Sequence, residues 1–227
     1  MEAIIFDGGE GKRLRPLTNN IPKALIKVGG KPILYWQLSW LYRYRITDVL
    51  ILGGYKGKKI SNYIKETAGF YNQMNIRVII ENKPLGTGGA LKQARKFIES
   101  NTFYTMVGDV VTNINIRKLR IPKDNMVNIA ITPLYSDKGV LKINNSKVIQ
   151  FREKPKLEGY WMNSGIISFS EYIFDYLKPV GEIEDAIIKL VKERRVTYTK
   201  YKKGYLSSVD SFKDLEKIDK YLRIKGI

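Results

Sequence analysis

Directly behind a short apolar run, Ala3 to Phe6, the chain reads Asp7-Gly8-Gly9-Glu10-Gly11-Lys12-Arg13, followed shortly by Lys23. Glycines let backbone amides approach an anion closely, and Lys and Arg then neutralise it, which is the chemistry of phosphate binding. Elsewhere the chain is poor in catalytic groups, with no histidine and no cysteine. Disulfides, thiolate catalysis and cysteine-type zinc sites are therefore excluded, and the commonest general base is missing. Any catalysis must use carboxylates, Lys, Arg, hydroxyls, backbone amides or a hard metal ion. Two familiar phosphate loops can be tested against this stretch. A Walker A loop requires glycine where Phe6 stands and Ser or Thr where Arg13 stands, and the dinucleotide fingerprint requires glycine at Leu14. Neither fits.

The elements that must carry this loop follow from the spacing of apolar residues. Ala3 to Phe6, Val49 to Leu52, Ile76 to Ile80 and Phe103 to Val107 read as buried parallel strands, and Pro32 to Tyr44, Lys58 to Thr67 and Gly88 to Ser100 have helical spacing. Such alternation predicts βαβ units: an α/β fold with a Rossmann-like, mostly parallel sheet flanked by helices. The second half is richer in strands, at Val127 to Pro133, Val140 to Ile143, Val148 to Phe151 and Ile166 to Phe169. Helices are expected from Ser170 to Leu177, Ile183 to Arg194 and about Phe212 to Ile224, with strands near Val196 to Tyr201 and Tyr205 to Val209. In such sheets ligands bind beyond the strand C-terminal ends, where the glycine loop and the glycines after Leu85 fall.

The opening run resembles the signature of the sugar-phosphate nucleotidylyltransferases, or NDP-sugar pyrophosphorylases, written GGxGTRLxPLTxxxPKxLxPVxGKP. Gly8, Gly9, Gly11, Arg13, Leu14, Pro16, Leu17, Thr18, Pro22, Lys23, Leu25, Val28, Gly30, Lys31 and Pro32 match it in order and spacing. The likeness continues at ENKPLGTGGALKQA, MVGDVVTNINI, VIQFREKP and MNSGIISF, and so covers most of the chain. It implies one nucleotidyltransferase domain over residues 1–227. About 1–120 would be the nucleotide-binding half and about 121–227 the sugar-phosphate-binding half, with no C-terminal β-helix domain.

The resemblance also implies a reaction: an oxygen of a sugar 1-phosphate attacks the α-phosphorus of a nucleoside triphosphate in line, and pyrophosphate leaves. That chemistry needs positioning, charge neutralisation and Mg²⁺, and neither histidine nor cysteine. By similarity, Gly8, Gly9 and Gly11 cradle the nucleotide, while Arg13 and Lys23 bind the triphosphate and stabilise the leaving group. Gly86, Thr87 and Gly88 would lie against base and ribose, although close packing at a helix start would equally explain them. Asp109 and Asp210 would hold Mg²⁺; Asp210 or Ser211 could instead simply cap the last helix. Lys154 would contact the sugar phosphate as a further catalytic group, Glu153 would accept from sugar hydroxyls, and Gly139 and Asn163 would line that pocket. The general pattern looks most like the guanylyltransferases for mannose and heptose phosphates, which points to mannose 1-phosphate with GTP. Alternatives are heptose 1-phosphate with GTP, glucose 1-phosphate with UTP or dTTP, and a cytidylyltransferase for phosphocholine-like substrates. Phe6-Asp7 stands where the family has Leu-Ala, and the closing motif at Asp210 is shortened. Those departures leave open a weakly active regulatory homologue that binds nucleotide or sugar phosphate.

The formal charge of +18 attracts phosphates or nucleic acid, but the basic residues are spread along the 227 residues rather than gathered in an arm. A nucleic-acid partner is accordingly not expected. No stretch reaches the roughly 20 apolar residues of a membrane span, and Gly8 and Gly9 interrupt the only early apolar run, so no secretory signal is read. A cytoplasmic enzyme, monomeric or a small homo-oligomer, is the expectation.

Overall fold

The computed structural model describes residues 1–225. Among the described residues thirteen strands are formed: β1 (Glu2–Asp7), the short pair β2 (Lys27–Val28) and β3 (Lys31–Pro32), β4 (Asp48–Gly53), β5 (Asn75–Ile80), β6 (Thr102–Val107), β7 (Val110–Thr112), β8 (Val127–Tyr135), β9 (Val140–Asn144), β10 (Lys147–Arg152), β11 (Lys156–Ser170), β12 (Val196–Lys200) and β13 (Leu206–Ser208). The α-helices are α1 (Ile33–Arg43), α2 (Gly57–Glu66), α3 (Gly86–Ala94), α4 (Ile183–Lys192) and α5 (Phe212–Lys225).

Seven strands make one sheet in the order β12-β8-β11-β6-β1-β4-β5. β1 pairs in parallel with both β4 and β6, and β4 with β5, whereas β11 runs antiparallel to β6 and β8. The sheet is thus mostly parallel and flanked by helices, as the alternating pattern predicts. The interior strand β1 shows why: Ala3 and Ile5 face one apolar layer with Leu34 and Leu38 of α1, and Ile4 faces the other with Leu91 of α3 and Ile187 of α4. A strand covered on both faces must be apolar almost throughout. Each helix supplies a matching stripe, as in α4, where Ile183, Ala186, Ile187 and Leu190 are buried at helical spacing. α5 closes a smaller third cluster, with Ile218 and Leu222 against Leu14, Val28 and Val209.

The expected helix from Ser170 to Leu177 is instead a single 3-10 turn, Glu171–Asp175. Lys178 precedes Pro179, which disfavours helical backbone there, so too few residues remain for a stable α-helix. β7 and β13 form a separate antiparallel ribbon, and β9 and β10 a separate hairpin. Among the described residues no helix is long and apolar enough to cross a membrane.

Candidate active site

A cavity of about 610 Å³ opens at the C-terminal ends of β1, β4 and β6, lined among others by Gly8, Gly9, Gly11, Arg13, Lys23 and Asp109. Its volume falls in the usual range for small-molecule sites. The glycine loop is shaped by close approach. A Cβ on Gly54 would lie 2.7 Å from Gly8 Cα and its carbonyl oxygen, so the chain after β4 can lie against the loop only without a side chain. The Gly54 amide donates to Asp7 O at 3.2 Å, and the Tyr55 amide to Gly8 O at 3.2 Å. Gly11 sits at φ +62°, in the left-handed region, and its carbonyl accepts from Thr18 Oγ1 at 3.0 Å.

Two aspartates meet at the cavity floor. Asp109 follows β6 directly before β7, and Asp210 follows β13; β7–β13 pairing, continued by a 3.0 Å bond from the Val209 amide to Asp109 O, sets the two side by side. From behind, the buried Gln37 of α1 donates to Val107 O at 3.0 Å and Val110 O at 3.1 Å, fixing the corner that carries Asp109. Lys23 Nζ lies between the carboxylates, 2.5 Å from Asp109 Oδ2 and 3.1 Å from Asp210 Oδ1, and Arg13 Nη2 reaches Asp210 Oδ1 at 2.7 Å. Partial burial pulls the Asp210 carboxyl upward, but Lys23, Arg13 and the Ser208 hydroxyl together hold it below its ordinary value. Asp210 does not cap α5. That task falls to Ser211, whose Oγ accepts from the Asp214 amide at 3.3 Å and donates to Asp214 Oδ2 at 2.7 Å, while Asp214 Oδ2 also accepts from the Asp210 amide at 3.1 Å.

Asp7 lies at the end of β1 beside this cluster and is only 4% exposed. Burial above all, then the Asp109 charge, pushes its carboxyl up to about 7, against the pull of Lys23 and the Ala24 amide. Its Oδ2 has no hydrogen-bond partner among the described residues.

Gly86 and Thr87 also line the cavity, whereas Gly88 does not. The amides of Gly88 and Gly89 donate to Gly181 O at 2.9 and 3.1 Å, and Glu182 Oε2 accepts from Thr87 N at 3.0 Å and Thr87 Oγ1 at 2.7 Å. The start of α3 is therefore satisfied by the loop before α4. The remaining sequence-predicted residues lie elsewhere: Gly139, Glu153, Lys154 and Asn163 are outside the cavity lining. Gly139 and Glu153 flank the β9–β10 hairpin and stay close, a Cβ on Gly139 lying 3.2 Å from Glu153 Oε2. Asn163 turns its Oδ1 to the Gly165 amide at 3.0 Å. Sequence reasoning did not find Gln37, Glu81 or Glu182. Glu81 stands at the head of the ENKPLGTGG stretch, whereas nothing local marks Glu182.

The chain matches the nucleotidyl transferase family over residues 2–225. It is 32% identical to a protein of Bacillus subtilis called a probable glucose-1-phosphate cytidylyltransferase, covering 97% of this chain and 95% of that one. It is 33% identical to the D-glycero-alpha-D-manno-heptose 1-phosphate guanylyltransferase of Aneurinibacillus thermoaerophilus, over 77% of each. The fold is similar to HddC from Yersinia pseudotuberculosis complexed with GMP-PN, with TM-score 0.75 and 26% identity over 97% of this chain and 99% of that one. A glycine-lined cavity at the end of a mostly parallel sheet and these likenesses define one class. The chain belongs to the nucleotidyl transferase family and is a sugar-phosphate nucleotidylyltransferase.

Proposed function

We propose that the chain transfers the guanylyl group of GTP to mannose 1-phosphate, giving GDP-mannose and pyrophosphate with Mg²⁺. The observation that carries the chemistry is the convergence of Asp109 and Asp210 on one cation, the Lys23 ammonium, at 2.5 and 3.1 Å. Two hard carboxylate oxygens aimed at one point suit a divalent cation held beside substrate phosphates, so the donor set fits Mg²⁺. When bound there, Mg²⁺ would supply charge neutralisation on the triphosphate. Gly8, Gly9 and Gly11 offer backbone amides to the nucleotide, with Gly86 and Thr87 elsewhere in the cavity lining and Gly88 packed behind them against Gly181. Arg13 and Lys23 draw charge from the departing pyrophosphate as the sugar-phosphate oxygen bonds to the α-phosphorus and the bond to the β-phosphate oxygen breaks. Lys154 would hold the sugar phosphate, with Glu153, Asn163 and Gly139 around the sugar.

The guanylyl assignment draws on the likeness to the heptose 1-phosphate guanylyltransferase. A second reading, cytidylyl transfer to glucose 1-phosphate, is favoured by the Bacillus relative, which matches over more of the chain. Both fit a cytoplasmic enzyme acting as a monomer or small homo-oligomer. Pyrophosphate release across a grid of five nucleoside triphosphates against mannose, glucose, N-acetylglucosamine, galactose and heptose 1-phosphates separates them. GTP with mannose 1-phosphate is the expected strong pair; CTP with glucose 1-phosphate would replace the first reading by the second.

A further inference from the structure

Asp109 and Asp210 aim at one point, and two cations compete for it. In the free protein the Lys23 ammonium holds that point, 2.5 Å from Asp109 Oδ2 and 3.1 Å from Asp210 Oδ1. The same carboxylates are the proposed Mg²⁺ donors, and an ammonium and a divalent cation repel too strongly to share one position. Lys23 must therefore give way whenever the metal position is filled. Its side chain is only 13% exposed, so the displaced ammonium needs another acceptor close by.

Asp7 supplies one. It stands at the end of β1 where the family pattern has alanine, and it borders the cavity yet is only 4% exposed. Its Oδ2 is buried without a hydrogen-bond partner among the described residues, which costs free energy for as long as it lasts. Gly108 packs against the other oxygen, a Cβ built there lying 3.0 Å from Oδ1. Among the described residues no three acids converge to hold a metal ion, so Asp7 is not a third ligand beside Asp109 and Asp210. Lys23 is its natural partner. The Ala24 amide, one residue on, is directed at the Asp7 carboxyl, and among the described residues the Lys23 ammonium is the one cation whose charge pulls on it. A flexible four-carbon stem lets that ammonium turn to a neighbouring acceptor while the backbone stays in place.

We propose that Asp7 is a positioning residue whose free Oδ2 receives the Lys23 ammonium when the metal position between Asp109 and Asp210 is filled, an inference that rests on metal-assisted nucleotidyl transfer in this cavity. The change is an exchange of hydrogen-bond partners, with no covalent step. An ammonium has three donors, so one bond to Asp7 leaves two for the triphosphate. Asp7 thereby lowers the cost of moving Lys23 aside, and metal affinity reports that cost directly.

The test is Mn²⁺ binding to the nucleotide-free protein, followed by electron paramagnetic resonance of the free ion. Wild type, D7N, D7A, K23M and the D7N/K23M double variant are compared, each folded at the assay temperature. K23M should bind Mn²⁺ roughly fivefold or more tightly than wild type, because no ammonium then competes for the two carboxylates. D7N and D7A should bind it about tenfold more weakly. In the K23M background D7N should change the affinity by no more than about twofold, since there is no ammonium to receive. D7N should also need about tenfold more Mg²⁺ for half-maximal pyrophosphate release, with a smaller change in kcat at saturation. Wild-type Mn²⁺ affinity in D7N, or an equal loss from D7N with and without Lys23, overturns the role of Asp7 and leaves nucleotidyl transfer standing. K23M that gains no affinity does the same, because Lys23 then holds no place that the metal needs. Folded wild type that releases pyrophosphate with no substrate pair overturns the transfer reading itself, and this inference with it.

Discussion

Lys23 donates to two carboxylates from a side chain only 13% exposed, whereas Arg13 meets Asp210 from one 76% exposed. The two cations therefore differ in what their loss does. Arg13→Ala removes a donor from the solvent side and should leave the melting temperature nearly unchanged, because exposed ion pairs contribute little to stability. Lys23→Ala leaves Asp109 and Asp210 facing each other without their cation and should destabilise the free protein as well. Both should cost roughly 2 to 4 kcal/mol of transition-state stabilisation, the range for losing one preorganised charge-stabilising donor. Comparison of kcat/KM for pyrophosphate release gives that figure directly. Near-normal turnover in either variant would remove that residue from the chemistry. Asp109→Ala should abolish product formation at ordinary Mg²⁺ concentrations, and a fully active variant would remove Asp109 from the proposed metal site.

The loop works because two strand ends meet without side chains between them. In Gly54→Ala the new methyl would lie 2.7 Å from Gly8 backbone atoms, which cannot give way as a flexible side chain can. The expected result is a loss of about 1 to 3 kcal/mol in urea unfolding, with a raised KM for the nucleotide as Gly8 is displaced. A variant with wild-type stability and KM would show that the contact relaxes freely. The glycine signature itself was plain in the sequence, since it is local and its spacing is rigid. So were β1, β4, β6 and the long helices, whose apolar stripes are complete within each segment. The Gly181–Glu182 loop that satisfies the start of α3 was not legible: Thr87 and Glu182 are 95 residues apart and neither carries a periodic pattern. The same holds in part for the β7–β13 ribbon: a strand near Tyr205 to Val209 was expected and is β13, but the three-residue β7 is too short to announce itself, and the pairing that brings Asp109 to Asp210 was not legible either. Resemblance supplied that pairing, and long-range backbone bonds explain it.

At the scale of the whole molecule, a protein of formal charge +18 seals one acid in its interior beside its most crowded charges. A surrounding excess of positive charge would favour an ionised Asp7, yet desolvation, with Asp109 adding to it, wins and pushes the carboxyl up to about 7 from 3.8. The folded protein thus holds this proton more tightly than the unfolded chain does. Between those two values the native state binds more protons, so the Asp7 contribution to stability is fully present below about pH 4 and is lost as pH rises through about 7. The shift corresponds to roughly 4 kcal/mol in all. Glu81 shifts in the same direction and Asp210 in the other, so the raw pH profile mixes several groups, and the comparison must be with a variant that alters Asp7 alone. Asp7→Asn keeps an oxygen for the Ala24 amide, stays neutral at every pH, and is nearly isosteric. Urea unfolding of both proteins from pH 4 to 8 should show the variant gaining on wild type by several kcal/mol as pH rises, with the difference flattening above about 7. A difference independent of pH would mean that Asp7 keeps an ordinary carboxylate pKa in the folded protein and that Lys23 compensates its burial.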